Sequence, residues 1–443
     1  MPTFFFDQWL GDAGWLAATR VAVSDGRVTA VEPHASPGPT DERHAIGLPG
    51  LPNLHSHAFQ RGMAGLAERG SIGEDSFWTW RDAMYRFVDR ITPDDLHAIA
   101  AMAQVEMLEG GFTRVGEFHY LHHAPDGQRY DDPAAMAAAL AAAAGETGIG
   151  LTLLPVFYAQ SGFGGAAPSA GQRRFVTDRN GFARLLDASA SAVAGLPDAV
   201  AGIAPHSLRA VSPDDLAALP GMTAGPVHIH IAEQVKEVDD CVAWSGARPV
   251  EWLLDHAAVD PRWCLVHATH MTPAETDRAA RTGAVAGLCP ITEANLGDGI
   301  FPAIEWLAAG GRFGVGSDSN VLIDATEELR LLDYGQRLTR RVRNPLAPGG
   351  SSGARLYRSA LAGGAQALSA PGDAADFITL DPHHPALVGR SGDALLDALV
   401  FAAGRSAIDG VWRRGRQVVA GGRHIAREAI AARYRHALER LLA

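Results

Sequence analysis

A chain of 443 residues, 47% hydrophobic and 20% charged, has ordinary globular composition and enough apolar material for one large barrel plus a smaller lobe. A formal net charge of −12 with no cluster of lysine or arginine argues against nucleic-acid and anionic-membrane partners, which need a basic footprint. The opening MPTFFFDQWLGDAGW has no basic region ahead of a long apolar stretch, and no later window holds about 18 uninterrupted apolar residues, so a cytoplasmic protein with a small-molecule partner is expected.

In chain order, the first signal is RVAVSDGRVTAV (20–31), which alternates apolar and polar residues around Asp25-Gly26 and predicts a hairpin. From about residue 46 to 340, eight short apolar runs alternate with longer amphipathic or Ala-rich segments. The runs are IGLPGLPNL, TRVGEF, LTLLPVFY, AVAGIAP, GPVHIHIA, WCLVHAT, GAVAGLCP and GRFGVGS. Helix starts are legible at Thr92-Pro93, Ser212-Pro213 and Thr272-Pro273, each with a capping hydroxyl, a proline and early carboxylates. Eight strands with helical crossovers predict an α/β fold of the (β/α)₈ TIM-barrel type over 46–365. A doubly wound sheet fits the same pattern, but no GxGxxG follows the first strand to give it a dinucleotide site. Beyond the barrel, ADFITLD (375–381), ALVFAAG (398–404) and GVWRRGRQVVAGGRH (410–424) predict short strands, and 426–442 an amphipathic helix. Residues 1–45 and 366–443 are expected to join in one small β-sandwich.

Polar groups recur where the barrel strands end. His55-Ser56-His57 puts two imidazoles on one side of an extended strand, within reach of one ion. The fifth run carries His228 and His230 with Glu233 three residues on, the sixth ends at His267, and the eighth leads into Ser317-Asp318. The C-terminal ends of barrel strands share one rim, so these separate signals become a single site. Three histidines and one aspartate (His55, His57, His230, Asp318) suit Zn²⁺ or Fe²⁺, one ion per chain, rather than Mg²⁺ or Ca²⁺. Zinc lowers the pKa of a bound water from ~15.7 to about 7. His228 reads as a core histidine satisfied by a backbone carbonyl. His122, His123, His270, His383 and His384 read as surface or structural, and Asn295–Gly299 as a turn without the spacing of a calcium loop. Cys241, Cys264 and Cys289 have no CxxC spacing and read as buried small hydrophobes of a reducing compartment.

The order His55-x-His57, His230-x-x-Glu233, His267, Asp318 resembles the mononuclear deaminase branch of the amidohydrolase superfamily. Relatives with two metals usually bridge them with a carboxylated lysine after the fourth strand. The only lysine here, Lys236, follows the fifth. NLHSHAFQRGMAGL, GFTRVGEFHYLHH, APHSLRAV, HIHIAEQ, TEANLGDGIFP and GSDSN more closely resemble the formimidoylglutamate deiminases, over nearly the whole chain. That resemblance implies metal-dependent hydrolysis of N-formimino-L-glutamate to N-formyl-L-glutamate and ammonia, in histidine degradation, by a homodimer. It implies zinc on His55, His57, His230 and Asp318, with Asp318 also taking a proton from the attacking water. It further implies Glu233 as proton carrier to the leaving nitrogen, His267 as electrostatic partner of the reacting centre, and substrate contacts from Gln60, Arg81, Tyr120, His206 and Arg209. A dicarboxylate needs guanidinium forks, and Arg209 at a strand end is the best placed. The competing readings are a guanine, cytosine or S-adenosylhomocysteine deaminase, or a dechlorinase, on the same metal site, and a barrel that has lost catalysis and serves as a scaffold.

Overall fold

The computed structural model describes residues 2–68 and 77–443, the side chains of Phe77 and Trp78 excepted. The N-terminal alternation forms β1 (Thr3–Gly11), β2 (Gly14–Ser24) and β3 (Arg27–Glu32), joined antiparallel, and β4 (Glu42–Pro49), which runs parallel to β1. The β2–β3 turn is the expected Asp25-Gly26 pair, with φ of 53° and 78° as a two-residue hairpin of this twist requires.

The eight barrel positions are filled as the eight apolar runs predict. They are β5 (Leu51–Ser56), β6 (Phe112–His119), β7 (Gly150–Phe157), β8 (Val200–Ala201) continued by β9 (Ala204–Pro205), β10 (Val227–Ile231), β11 (Trp263–His267), β12 (Val285–Leu288) and β13 (Arg312–Val315). All are parallel, in the order β10-β11-β12-β13-β5-β6-β7-β8, with β9 also on β7. Bridges Ile203–Val227 and Ser207–His230 close the ring between the fourth position and β10. Every residue of β6 and β7 is buried, as expected of strands covered by helices outside and by core within. The three legible helix starts are real: Thr92, Ser212 and Thr272 each accept a hydrogen bond from a backbone N–H of the first turn, and Asp95 and Glu275 reciprocate for Thr92 and Thr272.

From the C-terminal part, β14 (Phe377–Leu380), β15 (Ile408–Arg413), β16 (Arg416–Ala420) and β17 (Arg423–His424) extend the terminal sheet in the order β17-β16-β15-β14-β4-β1-β2-β3. The Phe4 and Trp412 rings lie 6.3 Å apart although two strands separate β1 from β15. A flat sheet would hold those strands roughly 14 Å apart. The sheet therefore curls around Phe4, Phe6, Trp9, Phe377 and Trp412, giving the small β-sandwich domain built from both ends of the chain. Arg413 locks this domain to the barrel, donating to Asp198 at 2.7 Å and to the Gly148 carbonyl at 3.1 Å, while Arg114 of β6 donates to the same Asp198 at 2.6 Å. The last helix, Arg427–Leu442, lies on the helix Pro93–Glu109 and pairs Arg440 with Asp95.

Two expectations need correction. The first apolar run is two strands in two sheets, broken at Gly50, because β4 pairs with β1 and β14 whereas β5 pairs with β6 and β13. ALVFAAG is not a strand: Leu399–Ala403 forms a π-helical turn continuing the helix Asp393–Ala398. Its consecutive buried Leu399 and Val400 match no two-residue alternation, and the turn packs on the helix Ala325–Arg340.

The seam between β13 and β5 is unusually close at Gly316. A Cβ there would stand 2.7 Å from both the backbone N and O of His55, atoms that cannot step aside. Gly316→Ala is expected to cost about 1–3 kcal/mol as an overpacked site, read as a lowered thermal midpoint, with metal content falling alongside it.

Candidate active site

The strand-end histidines converge as their spacing predicts. Nε2 of His55 lies 3.2 Å from Nε2 of His57 and 3.0 Å from Nε2 of His230, and Asp318 Oδ1 is 3.4 Å from His55 and 3.2 Å from His57. All four ligand atoms lie within 4.8 Å of one another, and all four residues are buried. His57 donates through Nδ1 to the Phe118 carbonyl at 2.9 Å, so the proton of its neutral ring sits there and Nε2 offers only a lone pair. Burial pushes His55 down to about 3. Three imidazole nitrogens thus meet at contact distance beside one carboxylate, with the lone pair of His57 aimed inward, an arrangement that a shared cation makes favourable. A tetrahedral ion with ligands at ~2.0–2.1 Å holds them roughly 3.3 Å apart, so the donor set fits a metal.

Local backbone explains the convergence. Asp318 N–H donates to the His55 carbonyl at 3.0 Å, and His57 N–H donates to the Asp318 carbonyl at 2.9 Å. Asn320 Nδ2 reaches the carbonyls of His57 and Asp318, both at 3.1 Å, and Asn53 bonds Ser317 through both its amide atoms. Asp318 (φ 44°), Asn320 (φ 55°), His267 (φ 66°), Ala268 (φ 47°) and Ala232 (φ 50°) all occupy the left-handed region, a cost that turns their chains sharply at the rim.

Glu233 and His267 stand beside the cluster. His267 Nε2 is 3.9 Å from Glu233 Oε1 and 3.8 Å from Asp318 Oδ2, and its Nδ1 donates to Glu293 Oε1 at 3.2 Å. Burial disfavours charge on His267, but Glu233, Glu293 and Asp318 outweigh it and the ring is pushed up to about 10. Burial pushes Glu233 up to about 7 against the pull of His267 and Arg209. Asp318 would also rise on burial, but the imidazoles of His55, His57 and His267 hold it well below the usual carboxylate range.

A cavity of about 590 Å³ opens onto the cluster and brings together every substrate-contact residue read from the sequence: Gln60, Arg81, Tyr120, His206 and Arg209. Gln60 donates to the Tyr120 hydroxyl at 2.9 Å, and the His206 ring lies 5.0 Å from that of His230. Arg209 faces Glu237 Oε2 at 3.9 Å. Glu237 in turn is fully buried and accepts from the backbone N–H of Ala232 and Glu233, at 3.2 Å each. Arg81 enters from the helix Phe77–Val88 and Trp80 also lines the cavity, whereas the side chain of Trp78 lies outside the described residues.

Sequence reasoning missed several lining or supporting groups. Tyr158 ends the third apolar run and had the same strand-end signal as Tyr120; it accepts from Gln172 at 2.6 Å and lines the cavity near the two arginines. Glu237 lay four residues past Glu233 without a strand-end context. The stretch 295–299 is only partly a turn: Gly297 (φ 71°) caps the helix Pro290–Leu296, which carries Glu293, and Asp298 is buried against Gln234 and pushed up to about 9 by burial and by Glu233. Three further histidines are satisfied by backbone carbonyls. His228 donates to the Ala367 carbonyl at 2.8 Å, His122 to Val156 at 2.9 Å and His123 to Val176 at 2.9 Å. His122, read as surface or structural, is the structural case, fully enclosed.

The amidohydrolase family profile matches residues 46–418, the whole barrel and the return into the small domain. The chain belongs to the amidohydrolase family. This amidohydrolase is 49% identical to the formimidoylglutamate deiminase of Pseudomonas aeruginosa over 100% of both chains. It is 29% identical to the 8-oxoguanine deaminase of the same organism over 96% of each. Among solved structures, an amidohydrolase from Brucella melitensis superposes with a TM-score of 0.97 at 52% identity over 100% of both chains. An adenosine deaminase from Xanthomonas campestris with bound zinc superposes at 0.83 and 24% identity, covering 99% of this chain and 98% of its own, a likeness of fold. The family makes this chain a metal-dependent hydrolase acting on C–N bonds. No described helix is long and apolar enough to cross a membrane.

Asn320 touches no ligand atom yet fixes the backbone of two ligand residues. Asn320→Ala is expected to weaken metal retention by roughly 10- to 100-fold, measured by competition with a chelator, while the secondary structure is kept.

Proposed function

We propose that this amidohydrolase is a zinc-dependent formimidoylglutamate deiminase, converting N-formimino-L-glutamate and water to N-formyl-L-glutamate and ammonia in a histidine-degradation route. The observation that carries this reading is one cavity with a His₃Asp cluster and two guanidiniums, Arg81 and Arg209, on its walls. Full-length identity of 49% to a formimidoylglutamate deiminase supports it. A dianionic substrate offers a carboxylate to each guanidinium, and its short amidine arm reaches the cluster.

His55, His57, His230 and Asp318 would hold zinc, whose Lewis acidity makes hydroxide available near neutral pH. Asp318, ionised at any physiological pH, accepts a proton from the attacking water. The new C–O bond forms at the formimino carbon, and His267 donates its Nε2–H to the charge that develops there. Glu233, poised near 7, carries the proton to the terminal nitrogen, the C–N bond breaks, and ammonia leaves. Arg209, Arg81 and the phenols of Tyr120 and Tyr158 hold the glutamate part, with Gln60 and His206 along its length. Glu237 orients Arg209 and tethers the backbone under Glu233, so specificity and acid–base chemistry share one support.

The deciding assay is ammonia release from N-formimino-L-glutamate beside guanine, cytosine and S-adenosylhomocysteine. Turnover confined to a purine or pyrimidine would overturn the proposal. Glu233→Gln is expected to retain the metal and lose most turnover; loss of metal with otherwise normal behaviour would leave Glu233 a purely structural role.

Arg209→Ala is expected to lower kcat/KM by roughly 30-fold to several thousandfold, the cost of ~2–5 kcal/mol for removing one partner of a buried charge-assisted pair. Metal content should not change. Converting the substrate carboxylate that meets Arg209 to an amide should weaken the wild type strongly and Arg209→Ala much less. Equal losses in both enzymes would separate Arg209 from that carboxylate.

A further inference from the structure

Asp318 presents its two oxygens to two different donor sets. Oδ1 faces His55 and His57 at 3.4 and 3.2 Å, whereas Oδ2 faces His267 Nε2 at 3.8 Å. Cys289 is the first residue past β12, and the ligand atoms of His267, Cys289 and Asp318 all come within 4.8 Å of one another. From these contacts we infer a second cation site, formed by His267, Cys289 and Asp318, that takes a soft divalent ion such as Cd²⁺ or excess Zn²⁺.

Four features support it. The donors are one imidazole, one thiol and one carboxylate oxygen, a set that selects thiophilic ions over Mg²⁺ or Ca²⁺. His267 is already oriented by its Nδ1–H bond to Glu293, the outer support that ligating histidines use, so Nε2 is aimed at the site. His267 and Asp318 line the cavity, which gives an entry path. Glu233 Oε1, 3.9 Å from His267 Nε2, stands within reach as a fourth ligand. Filling the site requires the Cys289 sulfur and Asp318 to close in by side-chain rotation, and both the thiol and the His267 Nε2–H to release their protons to solvent.

The functional consequence rests on the reaction proposed above. An ion there occupies the His267 and Asp318 atoms that serve turnover, so the site is inhibitory. Cys289 itself does not line the cavity, and its replacement by the near-isosteric serine removes the thiol without removing any group assigned to the reaction.

The test titrates cadmium chloride into metal-loaded wild-type enzyme and into Cys289→Ser, following thiolate-to-cadmium absorption in the ultraviolet, bound metal per chain, and deimination of N-formimino-L-glutamate. Wild type should take up a second ion, develop the absorption band and lose activity. Cys289→Ser should keep its basal turnover, show no band and need about 10-fold or more cadmium for the same inhibition. A band that persists in Cys289→Ser would place the cadmium on Cys241 or Cys264 and overturn the inference, as would wild type that binds no second ion. Equal inhibition of both enzymes also overturns it. Basal turnover without cadmium tests the reaction separately, because the band and the metal count report the site even in an enzyme inactive on this substrate.

Discussion

Everything in this molecule depends on the seam where the last barrel strand meets the first. Two backbone hydrogen bonds, Asp318 N–H to His55 and His57 N–H to Asp318, put the carboxylate and two imidazoles on adjoining strands at fixed height. Ring closure is therefore also assembly of the metal centre. Gly316 permits the close approach, and Asn53, Ser317 and Asn320 satisfy the polar groups that the approach buries. An unsatisfied group at this depth would cost about 1–3 kcal/mol, so the network is as necessary to the site as the ligands it holds.

The left-handed residues at the rim follow from the same geometry. Parallel strands deliver their side chains alternately inward and outward, and a strand that simply continued would carry its last residue past the cluster. A sharp turn at His267-Ala268 and at Asp318 keeps imidazole and carboxylate inside the mouth. Such conformations persist only where surrounding bonds over-determine them, and here the bonds are present: His267 to Glu293, Asp318 to His55.

Sequence made the barrel and the ligand set legible because both are written in local pattern. Apolar runs fix strands, and a histidine at the end of a run falls on the rim wherever the run is placed. Arg209 was readable on the same ground, whereas Tyr120 came from the family resemblance. Tyr158 ends its run in the same way, but the family resemblance did not single it out. Glu237, Glu293 and Asp298 had no such signal at all. They sit on helices or loops after the strands, and their roles arise from contacts with residues 4 to 64 positions away, Glu237 on Glu233, Glu293 on His267, and Asp298 on Gln234. The ALVFAAG turn failed for a related reason: its residues are apolar without period, and packing on a distant helix decides their state.

The cavity draws its metal cluster and its cationic walls from different segments of the chain. The metal ligands come from β5, β10 and the loop after β13, whereas Arg81 and Arg209 come from the helix after β5 and the loop after β9, elements that contribute nothing to the metal. The adenosine deaminase superposes over nearly its whole length at 24% identity, so the barrel tolerates replacement of most of its residues. The His₃Asp cluster and the two guanidiniums thus stand on separate segments of one rim. These segments meet at Glu237, whose Oε2 faces Arg209 and accepts from the backbone N–H of Glu233, while its Oε1 accepts from that of Ala232. One buried carboxylate therefore stands between the Arg209 guanidinium and the backbone that carries Glu233.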